Sequence, residues 1–294
     1  MRKDKYQYTQ EDVINVAKEI EKRLLKNYKP TKNKKAVFIG GQPGAGKSVM
    51  SRKVNKNREY LPVDIDSYRK FHPMIDQILE NDLWNYTEMT GHFAYNVKIQ
   101  IIEDFTKEGY CIMMDETLRN ADKQIAMAEK LIDRGYSVEI KAMCVKKEIA
   151  YMSTVLRKES TLKDWNEGDR NEVPRIVKKE FIDSVAEKEL PESLNSLQKA
   201  MYKGKKMFEN IQLYNRDAEC LLDTNQKNVP SGDALKRRNQ KPYNKNEFKQ
   251  LQSTVKETCK LKLLNNSSDI EEFTKESNNI VKSVGKKMSK GLSR

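Results

Sequence analysis

Apolar positions along the chain follow two rhythms that alternate from one end to the other. Thr9–Tyr28 carries Val13, Val16, Ile20 and Leu24 at helical spacing behind a threonine suited to capping, and predicts an amphipathic helix. Lys35–Ile39 is a short apolar run stopped by Gly40 and Gly41, the pattern of a strand buried on both faces. Similar runs predict strands over Tyr60–Ile65, Tyr110–Met114 and Ser137–Val145. Ile211–Leu222 predicts a fifth, which turns at Asn215–Asp217 and returns. Helical patterns separate these runs, over Gly46–Lys56, Thr90–Glu108, Ala121–Arg134, Lys147–Arg157 and Arg175–Glu187. Strands alternating with helices imply an α/β fold: a doubly wound, mainly parallel five-stranded sheet flanked by helices, with ligands at the carboxyl ends of the strands. After Asp223, NQKNVPSGD reads as a loop, and the remainder is polar, helix-prone and low in aromatics. It predicts a helical appendage whose last dozen residues are frayed.

Composition narrows the class. The 294 residues are 37% hydrophobic and 34% charged, as in a soluble globular protein. No apolar run approaches the roughly 20 residues that span a bilayer, and MRKDKYQYTQEDV has no apolar core for a signal peptide. Cytoplasmic residence and no membrane partner are expected. Cys111, Cys144, Cys220 and Cys259 are far apart and match no metal-ligand spacing; three lie in strand-like stretches, as small buried thiols. The net charge of +13 is concentrated late, with 16 Lys/Arg against 7 Asp/Glu from Asn225 to Arg294. Such a segment could meet nucleic acid or an acidic partner, although a solvated helical face is the plainer reading.

The candidate chemistry begins at Gly41-Gln42-Pro43-Gly44-Ala45-Gly46-Lys47-Ser48, which fits GxxxxGK[ST] at every fixed position between a predicted strand and a predicted helix. Glycines let such a loop wrap phosphate oxygens, whose charge meets backbone N–H groups and the helix N-terminus. Lys47 is expected to bridge the β- and γ-phosphates and Ser48 to offer its hydroxyl to Mg²⁺, with Val49 continuing the nucleotide site. The pattern implies a phosphotransferase that uses ATP or GTP with Mg²⁺. A second cluster, VDIDSYRKFHP from Val63 to Pro73, sends two carboxylates off the second strand toward the same edge. Asp66 is the candidate general base and Asp64 a supporting or magnesium-side group, the alternative being that one of them caps the next helix. His72 and His92 read as packed or solvated helix residues. Trp84 and Trp165, in polar connecting segments, suit packing as well as covering a base or sugar.

Taken in order, GGQPGAGKS, DIDSYRKFHP, GYCIMMDETLR, YMSTVLRKE, DRNEVP and IQLYNRD resemble the zeta-toxin family, the P-loop kinase toxins of toxin–antitoxin pairs. The resemblance runs from about Thr31 to Asp223. It implies a P-loop kinase domain over residues 1–223 and a basic, mostly helical extension over 224–294. It also implies transfer of a γ-phosphoryl group to the sugar 3′-hydroxyl of UDP-N-acetylglucosamine, toxicity through blocked cell-wall synthesis, and a small helical antitoxin protein covering the nucleotide site. Carried over by position, it assigns Lys47 to the phosphates, Asp66 to the hydroxyl proton, and Arg157 and Arg170 to the moving phosphoryl group. Asp64, Asp115, Thr117 and Arg119 fall on the acceptor side. The chain also departs from the pattern. Asp115 and Glu116 replace a glutamate and a glycine, Ile99 falls where a glutamate is expected, and Met127 where a threonine is expected. The phosphate machinery is therefore complete while acceptor contacts differ. Two alternatives stay open: a kinase of the same fold with another nucleotide-like acceptor, and a nucleotide-gated nucleic-acid-binding protein that works through its basic tail.

Overall fold

A computed structural model describes residues 5–201 and 207–292 of the chain, without the side chains of 289–292. Its centre is a sheet built from β1 (Lys35–Gly40), β2 (Leu61–Val63), β3 (Ile112–Asp115), β4 (Ser137–Met143), β5 (Ile211–Tyr214) and β6 (Cys220–Asp223), in the order β2-β3-β1-β4-β5-β6. The first five run parallel and β6 is antiparallel to β5. The sheet thus has six strands rather than five. The returning limb of the Ile211–Leu222 segment pairs with the outgoing one and counts as a strand of its own. β1 is buried along nearly its whole length, with Ala36 and Phe38 in the core on one face and Val37 and Ile39 in the core on the other. An all-apolar strand covered on both sides needs no alternation.

The helices that supply this cover are α1 (Gln10–Leu24), α2 (Lys47–Val54), the short α3 (Ile65–Tyr68), α4 (Ile75–Asn81) and α5 (Tyr86–Met89), α6 (Gly91–Glu108), α7 (Ala121–Asp133), α8 (Lys147–Asn166), α9 (Lys179–Ser184) and α10 (Leu190–Met201). Thr9 and Asp12 form a reciprocal cap that fixes the start of α1 where the threonine predicts it. α8 runs nine residues past Arg157 and includes Trp165, because Glu159 and Thr161 keep one face buried beyond the predicted end. The predicted Arg175–Glu187 helix instead begins at Lys179 and passes through a π-turn (Val185–Glu189) into α10.

The basic C-terminal stretch forms α11 (Ser231–Gln240), α12 (Lys245–Leu264) and α13 (Ile270–Leu292), so the helix continues where fraying is expected. Leu251, Val255, Phe273 and Val284 from α12 and α13 join Ala45, Met50, Ile149 and Met152 in one core cluster. The extension therefore packs against the layer that carries the glycine-rich loop. Its tie to α8 is ionic as well as apolar. The fully buried Glu159 accepts from Lys262 Nζ at 3.0 Å, Lys158 Nζ at 2.8 Å, Asn265 Nδ2 at 2.8 Å and Ser267 Oγ at 3.0 Å. Lys262 is also buried and donates to Asp269 at 2.7 Å. Burial alone would raise the Glu159 pKa, but these bonds outweigh it and hold the carboxyl at about 2.

Removing one member of a buried charge pair strands the other. Lys262→Ala should lower the unfolding free energy by about 3–5 kcal/mol, whereas Lys260→Ala, whose side chain is 68% exposed, should change it by less than about 0.5 kcal/mol. Urea denaturation of both variants checks this; equal midpoints would show that the Glu159 cluster contributes nothing to holding the extension.

Candidate active site

Parallel pairing decides where the strand ends fall. Ile39 pairs with Asp115 and Val63 with Met114, so β1, β2 and β3 finish side by side. One residue later come Gly40 with its loop, Asp64, and the Glu116–Thr117 turn. The loop over Gly41–Gly46 connects β1 directly to α2, as a phosphate-binding loop must. Gly44 has φ +76 and lies so close to α8 that a Cβ there would stand 2.0 Å from the Ala150 carbonyl oxygen. Only glycine serves at that position. Gln42 is buried and donates to the Val145 carbonyl at 2.8 Å, pinning the loop to the end of β4. Lys47 Nζ folds back to donate to the Gly41 carbonyl at 3.0 Å and lies 3.7 Å from Asp115 Oδ1. Ser48 and Val49 are exposed in the first turn of α2, while Pro43 is half-buried and Ala45 buried.

The two carboxylates after β2 do not sit on an extended strand, as Tyr60–Ile65 predicts. The strand stops at Val63 because Asp64 caps α3, its side chain accepting from the Asp66 backbone N–H at 3.0 Å. Capping thus accounts for Asp64, and Asp66 stands in the first helical turn. Both oxygens of Asp66 are occupied: Arg69 Nε donates to Oδ1 at 3.0 Å and Arg175 Nη1 pairs with Oδ2 at 2.6 Å. Arg69 is itself held by the Thr87 carbonyl at 2.7 Å and Thr90 Oγ1 at 3.2 Å.

These groups share one electrostatic environment. Burial raises the pKa of Asp115 to about 6, Lys47 opposing and Asp64, Asp66 and Glu116 reinforcing the shift. Asp64 is raised by burial and by Asp66, against the Asp66 amide, Arg175 and Arg157. For Asp66 burial also pushes upward, but Arg175 and Arg69 prevail and its pKa falls below the ordinary value. Asp66 is therefore the carboxylate held most firmly in its ionised form, and Asp115 the one whose pKa lies closest to neutrality.

Other predicted site residues are placed less uniformly. Arg157 acts on Asp64 electrostatically and pairs with Glu172 at 3.4 Å. Arg170 is exposed and lies over the Trp165 ring, 3.9 Å from its centroid, and among the described residues no ion pair joins it to the carboxylate cluster. Thr117 is half-buried, next to Leu118, which is buried at φ +53. Arg119 pairs with Glu189 at 3.6 Å and covers Phe181. Ile99 is half-buried on α6, and Met127 packs against the core from α7. Beside Ile99, the buried Lys98 forms an ion pair with Glu116. His72 is buried in edge-on contact with Tyr8 and Phe93, a packing role, and His92 bonds the Tyr8 hydroxyl.

Arg69, Arg175 and Lys98 are the site groups that sequence reasoning misses. Arg69 had a signal, since its three-residue spacing from Asp66 on a helix brings the two together. Nothing local links Arg175 or Lys98 to their partners.

The raised pKa of Asp115 has a consequence for stability. A folded-state pKa of about 6 against an ordinary 3.8 means the folded protein binds the extra proton, so this contribution is full below pH 4 and is lost as pH rises to 6. Asp115→Asn should match wild type near pH 4 and exceed its unfolding free energy by about 3 kcal/mol above pH 6. Denaturant curves across that range test it; a constant difference between the two proteins would refute the shift.

Comparison with known proteins agrees with this geometry. The chain is 28% identical over 216 residues to Toxin PezT of Streptococcus pneumoniae serotype 4, covering 72% of this chain and 80% of that one. It is 25% identical over 252 residues to Toxin zeta of Streptococcus pyogenes, covering 85% and 83%. Among solved structures, a chain from the PezAT chromosomal toxin–antitoxin system of Streptococcus pneumoniae superposes with a TM-score of 0.75 at 25% identity, over 87% of this chain and 98% of that one. A chain of the AvrRxo1-ORF1–ORF2 complex shares the fold, with a TM-score of 0.54 at 10% identity. Residues 3–227 match the family described as Zeta toxin, and the chain, a P-loop kinase-type α/β protein, belongs to that family.

Proposed function

We propose that the protein is a kinase toxin that transfers the γ-phosphoryl group of ATP or GTP to a hydroxyl of a UDP-activated amino sugar, such as the 3′-hydroxyl of UDP-N-acetylglucosamine. The observation that carries this reading is the convergence of Lys47, on a complete phosphate-binding loop, with the Asp64–Asp66–Asp115 cluster at one sheet edge. A protein that merely switched on nucleotide binding would need no ionised carboxylate at the acceptor side.

In this mechanism Lys47 and the loop amides hold the β- and γ-phosphates. Asp66, kept ionised by Arg69 and Arg175, accepts the proton of the acceptor hydroxyl. The hydroxyl oxygen bonds to the γ-phosphorus as the bond to the β–γ bridging oxygen breaks, and the nucleoside diphosphate leaves. Arg157, and Arg170 once it leaves Trp165, neutralise charge on the moving group. Thr117, Arg119, Asp64 and Asp115 border the acceptor. Mg²⁺ fits the donor set. No three His, Cys, Asp or Glu side chains among the described residues form a metal cage, and a cation held by Ser48, a carboxylate and the phosphates themselves is the usual magnesium arrangement. When bound, it would neutralise phosphate charge.

A helical antitoxin covering the nucleotide site is proposed as the partner, in keeping with the toxin–antitoxin system from which the PezAT neighbour comes. No described helix is long and apolar enough to cross a membrane; action in the cytoplasm is part of the proposed reading. A second acceptor reading has support of its own. Ile99 and Met127 offer apolar surface where hydrogen-bonding groups are expected, and the Lys98–Glu116 ion pair adds two charges nearby. A related nucleotide-like acceptor would suit such a wall, since hydrogen-bonding mismatch discriminates strongly between substrates.

Incubation with Mg-ATP or Mg-GTP and a panel of UDP-sugars and nucleotides should add one phosphate mass to a UDP-sugar. Asp66→Asn should lower turnover about 10²–10⁴-fold with nucleotide affinity nearly unchanged, and Lys47→Ala should abolish transfer. No mass gain on any acceptor, or full turnover in Asp66→Asn, would overturn the reading.

A further inference from the structure

One cation beside the glycine-rich loop has no part in the chemistry described so far. Arg216 lies in the turn between β5 and β6. A Cβ added to Gly46 would stand 3.3 Å from its Cγ and 3.6 Å from its Nε, so the side chain lies across the last residue of the loop. Its Nη1 donates to Ser153 Oγ on α8 at 2.8 Å. The guanidinium thus spans the gap between α8 and the start of α2.

The turn that presents it is held from several sides. The Ala218 amide donates to the Asn215 carbonyl at 3.1 Å, and the Glu219 amide donates to Asn215 Oδ1 at 2.8 Å. Lys53, on α2, donates to the Ala218 carbonyl. Ala218 adopts φ +59, a conformation costly for alanine that these bonds maintain. The position of Arg216 is therefore built in.

Its charge is not matched. Arg216 is half-buried, and among the described residues it forms no ion pair; Asp217 is the one charged neighbour acting on it, and burial lowers its pKa. Among the described residues, one of its five N–H donors is used. A guanidinium that is partly desolvated, fixed in place and without a carboxylate is prepared for an anion from outside the chain. Among the described residues no ion pair or hydrogen bond joins it to Asp64, Asp66 or Asp115, the carboxylates of the proposed transfer site. An anion bound by it would lie beside Gly46, the last residue of the loop.

We propose that Arg216 is a donor-nucleotide contact, its guanidinium binding the non-transferred phosphates of the nucleoside triphosphate beside Gly46. This rests on the reading that the loop binds a nucleotide, and it assigns Arg216 to ground-state binding of both the triphosphate donor and the diphosphate product. Arg157 and Arg170, by contrast, serve the moving group.

The test is titration of a fluorescent ADP analogue into wild type, Arg216→Gln and Arg216→Lys. Circular dichroism and thermal melting confirm that each is folded. Arg216→Gln should weaken ADP binding about 10–100-fold, the loss of one charged hydrogen-bonding partner. Arg216→Lys, which keeps the charge, should recover part of it. In steady state KM for the donor should rise by the same factor with kcat little changed, and binding of the acceptor should stay as in wild type. Equal ADP affinity in wild type and Arg216→Gln overturns this proposal and leaves the nucleotide reading intact. Equal weakening of donor and acceptor also overturns it, by assigning Arg216 a merely structural role. Should Arg216→Gln not fold, undiminished ADP affinity in Arg216→Lys together with an unchanged salt dependence would overturn it. Absence of ADP binding by wild type would remove the nucleotide reading and this proposal with it.

Discussion

Three carboxylates at the end of a buried sheet repel one another, and the site depends on how that repulsion is met. Parallel pairing forces the ends of β1, β2 and β3 together, so Asp64, Asp66 and Asp115 crowd one edge beside a loop suited to still more negative charge. Each has a different answer. Asp64 turns into a helix cap, Asp66 is clamped by two guanidiniums, and Asp115 lies near Lys47 with a pKa displaced toward neutrality. Pushing neighbouring carboxyl groups apart in pKa is how one site holds both an ionised group and a group able to take a proton.

The cations that resolve the repulsion come from distant parts of the chain. Arg69 is local to Asp66, but Arg175 arrives from the segment after α8, and Arg157 from α8 itself. α8 is thereby the structural spine of the site. It backs Gly44 through the Ala150 carbonyl, anchors Arg216 through Ser153, and carries Glu159 into the buried cluster formed with α12 and α13. The basic extension consequently braces the helix that touches the loop. One of its lysines, Lys262, is buried as a structural counter-ion, which no reading of net charge could anticipate.

Under the proposed function, the pairing of Asp66 with two arginines has a mechanistic meaning. Both oxygens are spoken for, so an acceptor hydroxyl must share or displace an arginine contact before its proton can be taken. In the same proposal Arg170, stacked on Trp165, moves to reach the phosphoryl group. In that proposal, binding of both substrates has differential contacts available to reposition Arg170.

Much was written in the sequence. The alternation of apolar strands with helical patterns gave the α/β class, and Gly41–Ser48 between a strand and a helix located the phosphate loop, because both features are set by local periodicity and backbone sterics. The capping threonine of α1 was equally legible. What the sequence could not settle depends on contacts between distant residues. The returning limb became β6 only through pairing with β5, and the strand after Tyr60 ended early because Asp64 found the Asp66 amide. Arg175 on Asp66 and Lys98 on Glu116 join residues 109 and 18 positions apart. Local propensity carries no information about such pairs. They exist because the sheet register and the course of α8 bring unpaired charges to the same small volume, where leaving any one of them alone would cost more than the chain entropy of holding it in place.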